Sequence, residues 1–539
     1  TTRYDIAGNA VSTTDARGNT STVSYSDSFS DGMSRNTYAF ATSTASAVPD
    51  PSGVYGSTTA LTPSTVYDFS TGLVTSTTDA NNQTTSRSYA DDAGHVDPLD
   101  RLMKVSLPDG GRAKYDYGQN QWGNYVHTRV LQDASGRETN SYDYTDGLGR
   151  PYRSFLYEGQ DAAKPWLTTD TEYDSLGRVS RASAPYRSTG SAQAMFSGGR
   201  WSETAFDALS RVTAVTTRPD GAAVTSVYSG NAVTVTDQAG RKRSRASDAL
   251  GRLTQVTEDP DGLHYVTAYA YDVLGNLRRV EQGGQQRFFM YDSLGRLIRA
   301  KNPEQSANGG LTLTDPLTGN SQWSTAYGYD ANGNLATRVD ARGVTATYTY
   351  DALNRTTTVR YSDGTKDVDR HYDGATNGRG RFWYFNWDPA NNARFDTHLA
   401  VDEYDAAGRT IKYRQHFLTN GVASQPFLLT VAYNLMGAVT SETYPSGHTV
   451  VYSYDAAGRP SGFTGSLGDG AARTYSSEVL YDEMGGMSQE RFGTDTPVYH
   501  KLLYNSRGQL AEIRVGLYPL TDPDPDRRTS WQRGAIINH

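Results

Sequence analysis

Aspartate is the residue of this sequence with the most chemistry to offer. Two carboxylates facing each other across a cleft can share the acid and base work of glycoside hydrolysis, and Asp and Glu together number 59 in 539 residues. Nearly every aspartate, however, lies in a short Asp-Gly phrase that reads as a turn, where the carboxylate bonds its own backbone. Glu is sparse, so a glycosidase pair has no anchor. Nine histidines lie dispersed at 95, 127, 264, 371, 398, 416, 448, 500 and 539. None forms an HExxH pair, and without cysteine a zinc site would need His and carboxylate alone. The absence of Cys also removes thiol catalysis and disulfides. No phosphate-binding GxxxxGK phrase and no GxSxG elbow occurs, and the Gly-rich GGRWSE and NGRGRF read as turns. The DPDPDRR stretch at 522–528 lacks the Gly and distal Glu of a calcium loop and reads as an extended linker. The chain is therefore expected not to be an enzyme, with no catalytic residue, no cofactor and no metal ligand assigned.

One stretch departs from this plainness. In RGRFWYFNWDP (379–389) five aromatic residues crowd together. On a strand, Phe382, Tyr384 and Asn386 would face one way, and Trp383, Phe385 and Trp387 the other. Trp383, Tyr384, Phe385 and Trp387 are thus candidate binding residues, a stacking platform for sugars or for an unfolded guest chain. The preferred reading is packing: a seam where a wall meets itself or a plug.

The elements that would carry such residues are written in a repeat. The phrase Tyr-Asp-x-x-Gly-Arg/Asn begins at Tyr4, Tyr173, Tyr271, Tyr291, Tyr329, Tyr404 and Tyr454, with weaker copies at Tyr350, Phe206, Tyr433, Tyr481 and Tyr504. TDGLGR at 145 and SDALGR at 247 keep the turn without the aromatic. The positions that define it are Tyr4, Asp5 and Gly8; Tyr173, Asp174, Gly177 and Arg178; Tyr271, Asp272 and Gly275; and Tyr291, Asp292, Gly295 and Arg296. They continue with Tyr329, Asp330 and Gly333; Tyr350 and Asp351; Tyr404, Asp405, Gly408 and Arg409; and Tyr454, Asp455, Gly458 and Arg459. Asp opens a type I turn, and Gly three places later supplies the positive φ that closes it into a bulge. Asn354 can stand in for that Gly because Asn tolerates the left-handed region. Tyr ends a strand and offers a broad face for cross-strand packing.

Between the turns the sequence alternates with period two. Ala346, Tyr348 and Tyr350 share one face and Thr345, Thr347 and Thr349 the other; Val450, Tyr452 and Tyr454 oppose Thr449, Val451 and Ser453. That is a strand pattern. A plainer turn falls half a period away, at TDARGN (14), LPDGGR (107), TDQAGR (236), VDARGV (339), YSDGTK (361) and YPSGHT (444). Each unit is then a hairpin of roughly 20 residues, marginal alone and stable when stacked into one sheet.

Bulk composition agrees. The 36% hydrophobic and 20% charged fractions are low for a dense many-layered core and suit a thin sheet with a wet face. The formal charge of −8 is mild and the basic residues are scattered, so no nucleic-acid footprint appears. No apolar run is long enough to span a membrane. The expected organisation is a single all-β array over 1–539, with irregular insertions near 26–66, 181–201, 302–323, 374–400 and 516–531. Because the chain opens inside a repeat, with Tyr4 and Asp5, it is expected to be a fragment of something longer.

The pattern D-x-x-G-x-x-T-x-Y-x-Y-D-x-x-G-R/N, nearly whole in DARGVTATYTYDALNR (340–355) and SGHTVVYSYDAAGR (446–459), resembles the YD repeats of bacterial Rhs proteins. Similar repeats occur in the C components of insecticidal toxin complexes and in teneurins. The resemblance implies a β-sheet ribbon that spirals into a hollow shell around a C-terminal toxin or effector region of the same longer chain. It also implies delivery through a secretion apparatus component and a secreted or cell-surface location in a bacterium. No DPxGL core motif is present, so the family's self-cleavage is not carried over. An adhesion or carbohydrate-binding module is the alternative.

Overall fold

The computed structural model describes residues 1–190, 199–387, 397–419, 422–494 and 496–522. Among the described residues there are 42 β-strands, from Thr2–Tyr4 to Leu510–Gly516, and no helix. None of the described residues therefore forms a helix long and apolar enough to cross a membrane.

The strands form a meander in which each pairs antiparallel with its successor, as in Thr345–Tyr350 with Thr356–Tyr361. Short turns permit nothing else, since a chain reversed in a few residues can only return beside the strand it has just left. The pairing is modified at two places. Trp166–Tyr173 bonds both Val179–Ser183 and Tyr186–Ser188, which lie end to end around Ala184 and Pro185. Thr410–Thr419 carries a small side hairpin with Val422–Ala423.

The wall is one sheet thick, and its buried interior is correspondingly unusual. Among the largest fully buried side chains, only Trp323 and Pro49 are apolar; Lys501, Gln132, Gln489, Thr168, Asp170, Asp315 and Ser324 are polar. Such groups stay inside only when hydrogen-bonded, so the fold leans on its ladders and polar networks more than on an oily core. Arg153 is paired with Asp170, and Arg278 with Asp315, all four side chains being buried. The 302–323 insertion folds back over the sheet, burying Trp323, whose indole N–H donates to the Leu313 carbonyl.

The ribbon also meets itself. Polar contacts recur between residues 269 to 334 positions apart in sequence. One revolution of the ribbon thus takes about 300 residues, and the second winding is laid against the first.

Candidate functional site

The repeated phrase folds in the same way at each good copy. Tyr4, Tyr173, Tyr271, Tyr291, Tyr329, Tyr350, Tyr404 and Tyr454 are each the last residue of a strand. At 173–178 the Asp174 N–H donates to the Arg178 carbonyl (2.9 Å) and the Gly177 N–H returns to the Asp174 carbonyl (2.9 Å). One carboxylate oxygen of Asp174 accepts the N–H groups of Leu176 (2.9 Å) and Arg178 (3.0 Å). The other accepts Arg178 Nε at 2.7 Å. Ladder register slips by one residue at Tyr173, a bulge. Asn354 takes the glycine position with φ +62°, as its tolerance of that region allows.

The choice of Arg or Asn at the sixth position now has a reason, which turn chemistry alone does not supply. Arg296, Arg355, Arg409 and Arg459 donate Nε to Asp292, Asp351, Asp405 and Asp455 at 2.6–2.8 Å. Asn9, Asn276 and Asn334 donate Nδ2 to the same carboxylate oxygen of Asp5, Asp272 and Asp330 at 2.9–3.1 Å. Both side chains lock the turn, and Arg adds a contact with a ring. Its guanidinium covers the aromatic ring of a following strand: Arg150 over Tyr173 (4.4 Å), Arg178 over Phe206 (4.2 Å), Arg296 over Tyr329 (4.7 Å) and Arg459 over Tyr481 (4.3 Å). Desolvated contacts of this kind are stabilising.

Tyrosine rather than phenylalanine is used because the hydroxyl is used. Tyr173, Tyr329, Tyr350, Tyr404 and Tyr481 donate to the carbonyls of Pro151, Leu297, Leu335, Phe382 and Pro460 at 2.6–2.8 Å. Each acceptor starts the strand just past an earlier turn, or lies beside that start. Replacing Tyr329 by Phe is expected to cost about 1 kcal/mol, read as faster amide exchange in 325–339 with the ladder intact.

Consecutive turns alternate between the two ends of the strands, so the two turn classes are sorted onto opposite rims. The Tyr-Asp rim carries the turns at 5, 146, 174, 207, 248, 272, 292, 330, 351, 405, 455 and 482. The plain rim carries those at 15, 79, 107, 237, 340, 362 and 444. Where the windings meet, the Tyr-Asp rim of the second rests on the plain rim of the first. Three seam contacts repeat one pattern, an arginine of the lower rim donating to the carbonyl of a turn tyrosine. Arg17 donates to Tyr350 (2.9 Å), Arg137 to Tyr454 (3.0 Å) and Arg187 to Tyr481 (2.7 Å). Turns leave such carbonyls outside the ladder, and the seam satisfies them. Ion pairs fix the register: Arg409 with Asp109 (2.7 Å), Arg507 with Asp220 (2.7 Å), and Arg459 with Glu158 (3.0 Å). Glu158, fully buried, also accepts Arg187 Nε at 2.5 Å. None of these partners announces itself in sequence.

Comparison with known proteins follows from this geometry. A model of the RHS repeat matches residues 329–366 and 433–473, both built on the turns just described. The chain carries Rhs repeats. A second model, of a domain of unknown function (DUF6443), matches residues 122–232. The crystal structure of TcdB2-TccC3 has the same fold, with a TM-score of 0.74 at 14% identity over 96% of this chain and 28% of that one. A crystal structure of TcdB2-TccC3-Cdc42 gives 0.72 at 13% identity, over 96% and 30%. The Tc holotoxin pore of Photorhabdus luminescens gives 0.61 at 13% identity, with the same coverage. The chain therefore spans less than a third of the length of these solved chains. No curated protein sequence matches it.

The aromatic stretch lies in the Rhs ribbon as the strand Phe382–Trp387. Its rings do not form one platform. Phe382 and Trp383 both pack on a small core of Ala375, Val401 and Tyr404, and Trp383 lies so close to Gly374 that a Cβ there would overlap its ring. The strict alternation expected across 382–387 is broken at its first residue, where the register shifts between His371 and Tyr372. Tyr384 stacks on His371 with centroids 4.0 Å apart. Phe385 is half-buried, and Trp387 is 42% exposed while donating its indole N–H to the Lys366 carbonyl (3.2 Å). Residues 388–396, within the expected 374–400 insertion, lie outside the described residues, as do 191–198 of the 181–201 insertion and the linker from 523. Among the described residues no group of three or more His, Asp or Glu is placed to hold a metal.

Beside Tyr384 runs a row of histidines: His371, His398 and His416, the last two with rings 5.6 Å apart. Burial first, then the neighbouring His416 and Arg414, holds His398 down to about 4, against the pull of Asp402; burial lowers His371 as well. Both are neutral in the fold and charge on unfolding below pH 6.5 or so. The unfolded chain then binds more protons, and stability falls with pH from about 6.5 to about 4. The turn aspartates act lower. Asp174 and Asp292 are held below their usual range by the backbone N–H of Arg178 and Arg296 first, and Asp248 by the Arg252 guanidinium first. Their contribution is present above the unfolded value near 3.9 and is lost as pH falls below it. Melting temperature is expected to be flat from pH 8 to 7, to slope down from 6.5 to 4, and to fall steeply below. His398→Gln should flatten only the middle segment.

Proposed function

We propose that this Rhs ribbon is wall rather than machine. It is a non-catalytic section of a shell that encloses an effector region carried C-terminally on the same longer polypeptide, is secreted, and hands that effector to a delivery apparatus. The observation that carries the reading is the seam. A ribbon that locks its own second winding onto its first through arginine–carbonyl contacts and buried ion pairs makes a continuous wall, which neither a catalytic cleft nor an extended adhesin stalk requires. The shared fold with TcdB2-TccC3 supports it. The test is limited proteolysis of the full natural polypeptide. The effector region should survive protease that digests the same region expressed alone, and equal digestion would contradict enclosure.

Carbohydrate binding has narrower support. Trp387 is part-exposed on one sheet face, whereas Trp383 is packed into the small core. A glycan array signal lost on Trp387→Ala would favour that reading.

A further inference from the structure

Residues 49–58 form a loop without strands that closes on itself, the Asp50 N–H donating to the Ser57 carbonyl at 3.0 Å. Hydrogen bonds strap this loop onto the second winding. The Ala352 N–H donates to the Pro49 carbonyl (2.9 Å) and the Tyr372 N–H to the Tyr55 carbonyl (2.8 Å). The Ser57 N–H donates to Asp373 (2.9 Å), and His371 Nδ1 donates to the Val54 carbonyl (2.7 Å). The fit is close, since a Cβ on Gly56 would lie 3.0 Å from the Asp373 carboxylate. Of these partners, His371 is the one that titrates near neutral pH. It is 7% exposed, stacked on Tyr384 at 4.0 Å and covered by Tyr55 of the loop at 5.2 Å.

Donation from Nδ1 leaves Nε2 as the atom that takes a proton, and the carboxylates around it are already engaged. Asp369, on the same strand Val368–Tyr372, holds Arg360 of the strand Thr356–Tyr361 at 2.5 Å. Asp373 holds Arg355 at 2.7 Å and accepts the Ser57 and Gly380 N–H groups. Asp50, in the loop, accepts the N–H groups of Ser52 (3.0 Å) and Tyr55 (2.6 Å). Tyr384 faces the ring from the strand Phe382–Trp387, and beyond it lie His398 and His416, with Arg414 and Asp402 acting on His398. The rings of His95 and His127 lie 3.0 and 3.4 Å from Asp91 and Asp116, whereas His371 has no carboxylate at ion-pair distance among the described residues. A charge on it would be buried without a counter-ion, which is strongly unfavourable.

We propose that the 49–58 loop is an acid-released strap: protonation of His371 lifts it off the second winding and opens the wall there, while the rest of the seam stays shut. With the strap down, burial holds His371 below the usual histidine range. With the strap up, the ring meets water and titrates near 6.5. The lifted form therefore binds more protons below that value, and acid favours it. Between pH 7.5 and 5.0 this one group shifts the balance toward opening by up to roughly thirtyfold. The other seam pairs, such as Arg409 with Asp109 and Arg459 with Glu158, change charge only near pH 4 or below and hold through this window. The inference concerns the wall and is independent of what the shell encloses.

The experiment is hydrogen–deuterium exchange of the full natural polypeptide at pH 7.5 and 5.0, corrected for the intrinsic rate. Peptides carrying Ser57 and Tyr372 should lose protection by roughly ten- to thirtyfold at pH 5.0. Those carrying Leu435, whose N–H donates to the Gln132 carbonyl across the seam (2.9 Å), should keep theirs. His371→Gln, which can still donate to Val54, should leave the strap protected at both values. His371→Phe, which keeps the stack, replaces it if the glutamine variant is already open at pH 7.5. Unchanged protection of Ser57 and Tyr372 in the unmodified chain overturns the proposal, as does an equal loss at Leu435. A pH step that persists in a variant closed at pH 7.5 overturns it too, because another group would then drive the opening.

Discussion

Glu158→Ala is expected to open the seam at an estimated cost of about 3–5 kcal/mol. The carboxylate is fully buried and holds two cations from different windings, Arg187 at 2.5 Å from the first and Arg459 at 3.0 Å from the second. Removing one partner of a buried pair costs more than the pair contributes, because the remaining charge stays desolvated and uncompensated. Arg459 keeps its own Asp455, and Arg187 keeps the Tyr481 carbonyl, so the loss should fall at the lower end of that range. It should also be local. Amides of 158–160 and 481–483 should exchange on the order of a hundredfold faster, while ladders away from the seam keep their protection. Glu158→Gln, which retains an acceptor, should fall between.

Trp323→Ala should be as severe, through a different cause. The indole is completely buried, its N–H is satisfied by Leu313, and its carbonyl accepts the Asn308 N–H at 2.8 Å. Truncation leaves a cavity under the 302–323 segment and deprives the Leu313 carbonyl of its donor, an expected loss of about 3–5 kcal/mol. The sheet beneath is a ladder that stands without the segment, so the readout is selective. Protease should cut within 302–323 while the strands Leu297–Lys301 and Thr325–Tyr329 remain protected. Trp323→Phe should restore most of the resistance.

The fold was open to reading wherever its cause is local. Asp-x-x-Gly phrases and period-two strands are neighbour effects, and so Tyr173, Tyr350 and Tyr454 end their strands where the spacing predicts. A meander adds no long connections to guess. The contacts that join windings lie about 300 residues apart, and no periodicity reports them. Glu158 and Arg187 belong to ordinary-looking stretches, and only the winding brings them to Arg459. For the same reason the segment 26–66 reads as an irregular insertion, although Pro49, Val54 and Tyr55 meet Ala352, His371 and Tyr372 across the seam. The 302–323 segment looked equally idle, and it buries Trp323. At 382–387 alternation put Trp383 with Phe385 and Trp387; the register shift opposite Phe382 instead packs Trp383 and Phe382 on one core. The preferences for Tyr and for Arg or Asn were visible in the sequence, but the use of the tyrosine hydroxyl and the partners of both needed coordinates.

The most direct check is to cross-link the seam itself, using a chain that has no native cysteine. Paired cysteines at Asp109 and Arg409, and at Asp220 and Arg507, replace side chains that touch across the windings at 2.7 Å. A short bis-maleimide should join each matched pair in folded protein and leave the crossed pairs, Asp109 with Arg507 and Asp220 with Arg409, unjoined. Equal cross-linking of matched and crossed pairs, or none in either, would mean that the ribbon does not wind upon itself in this register.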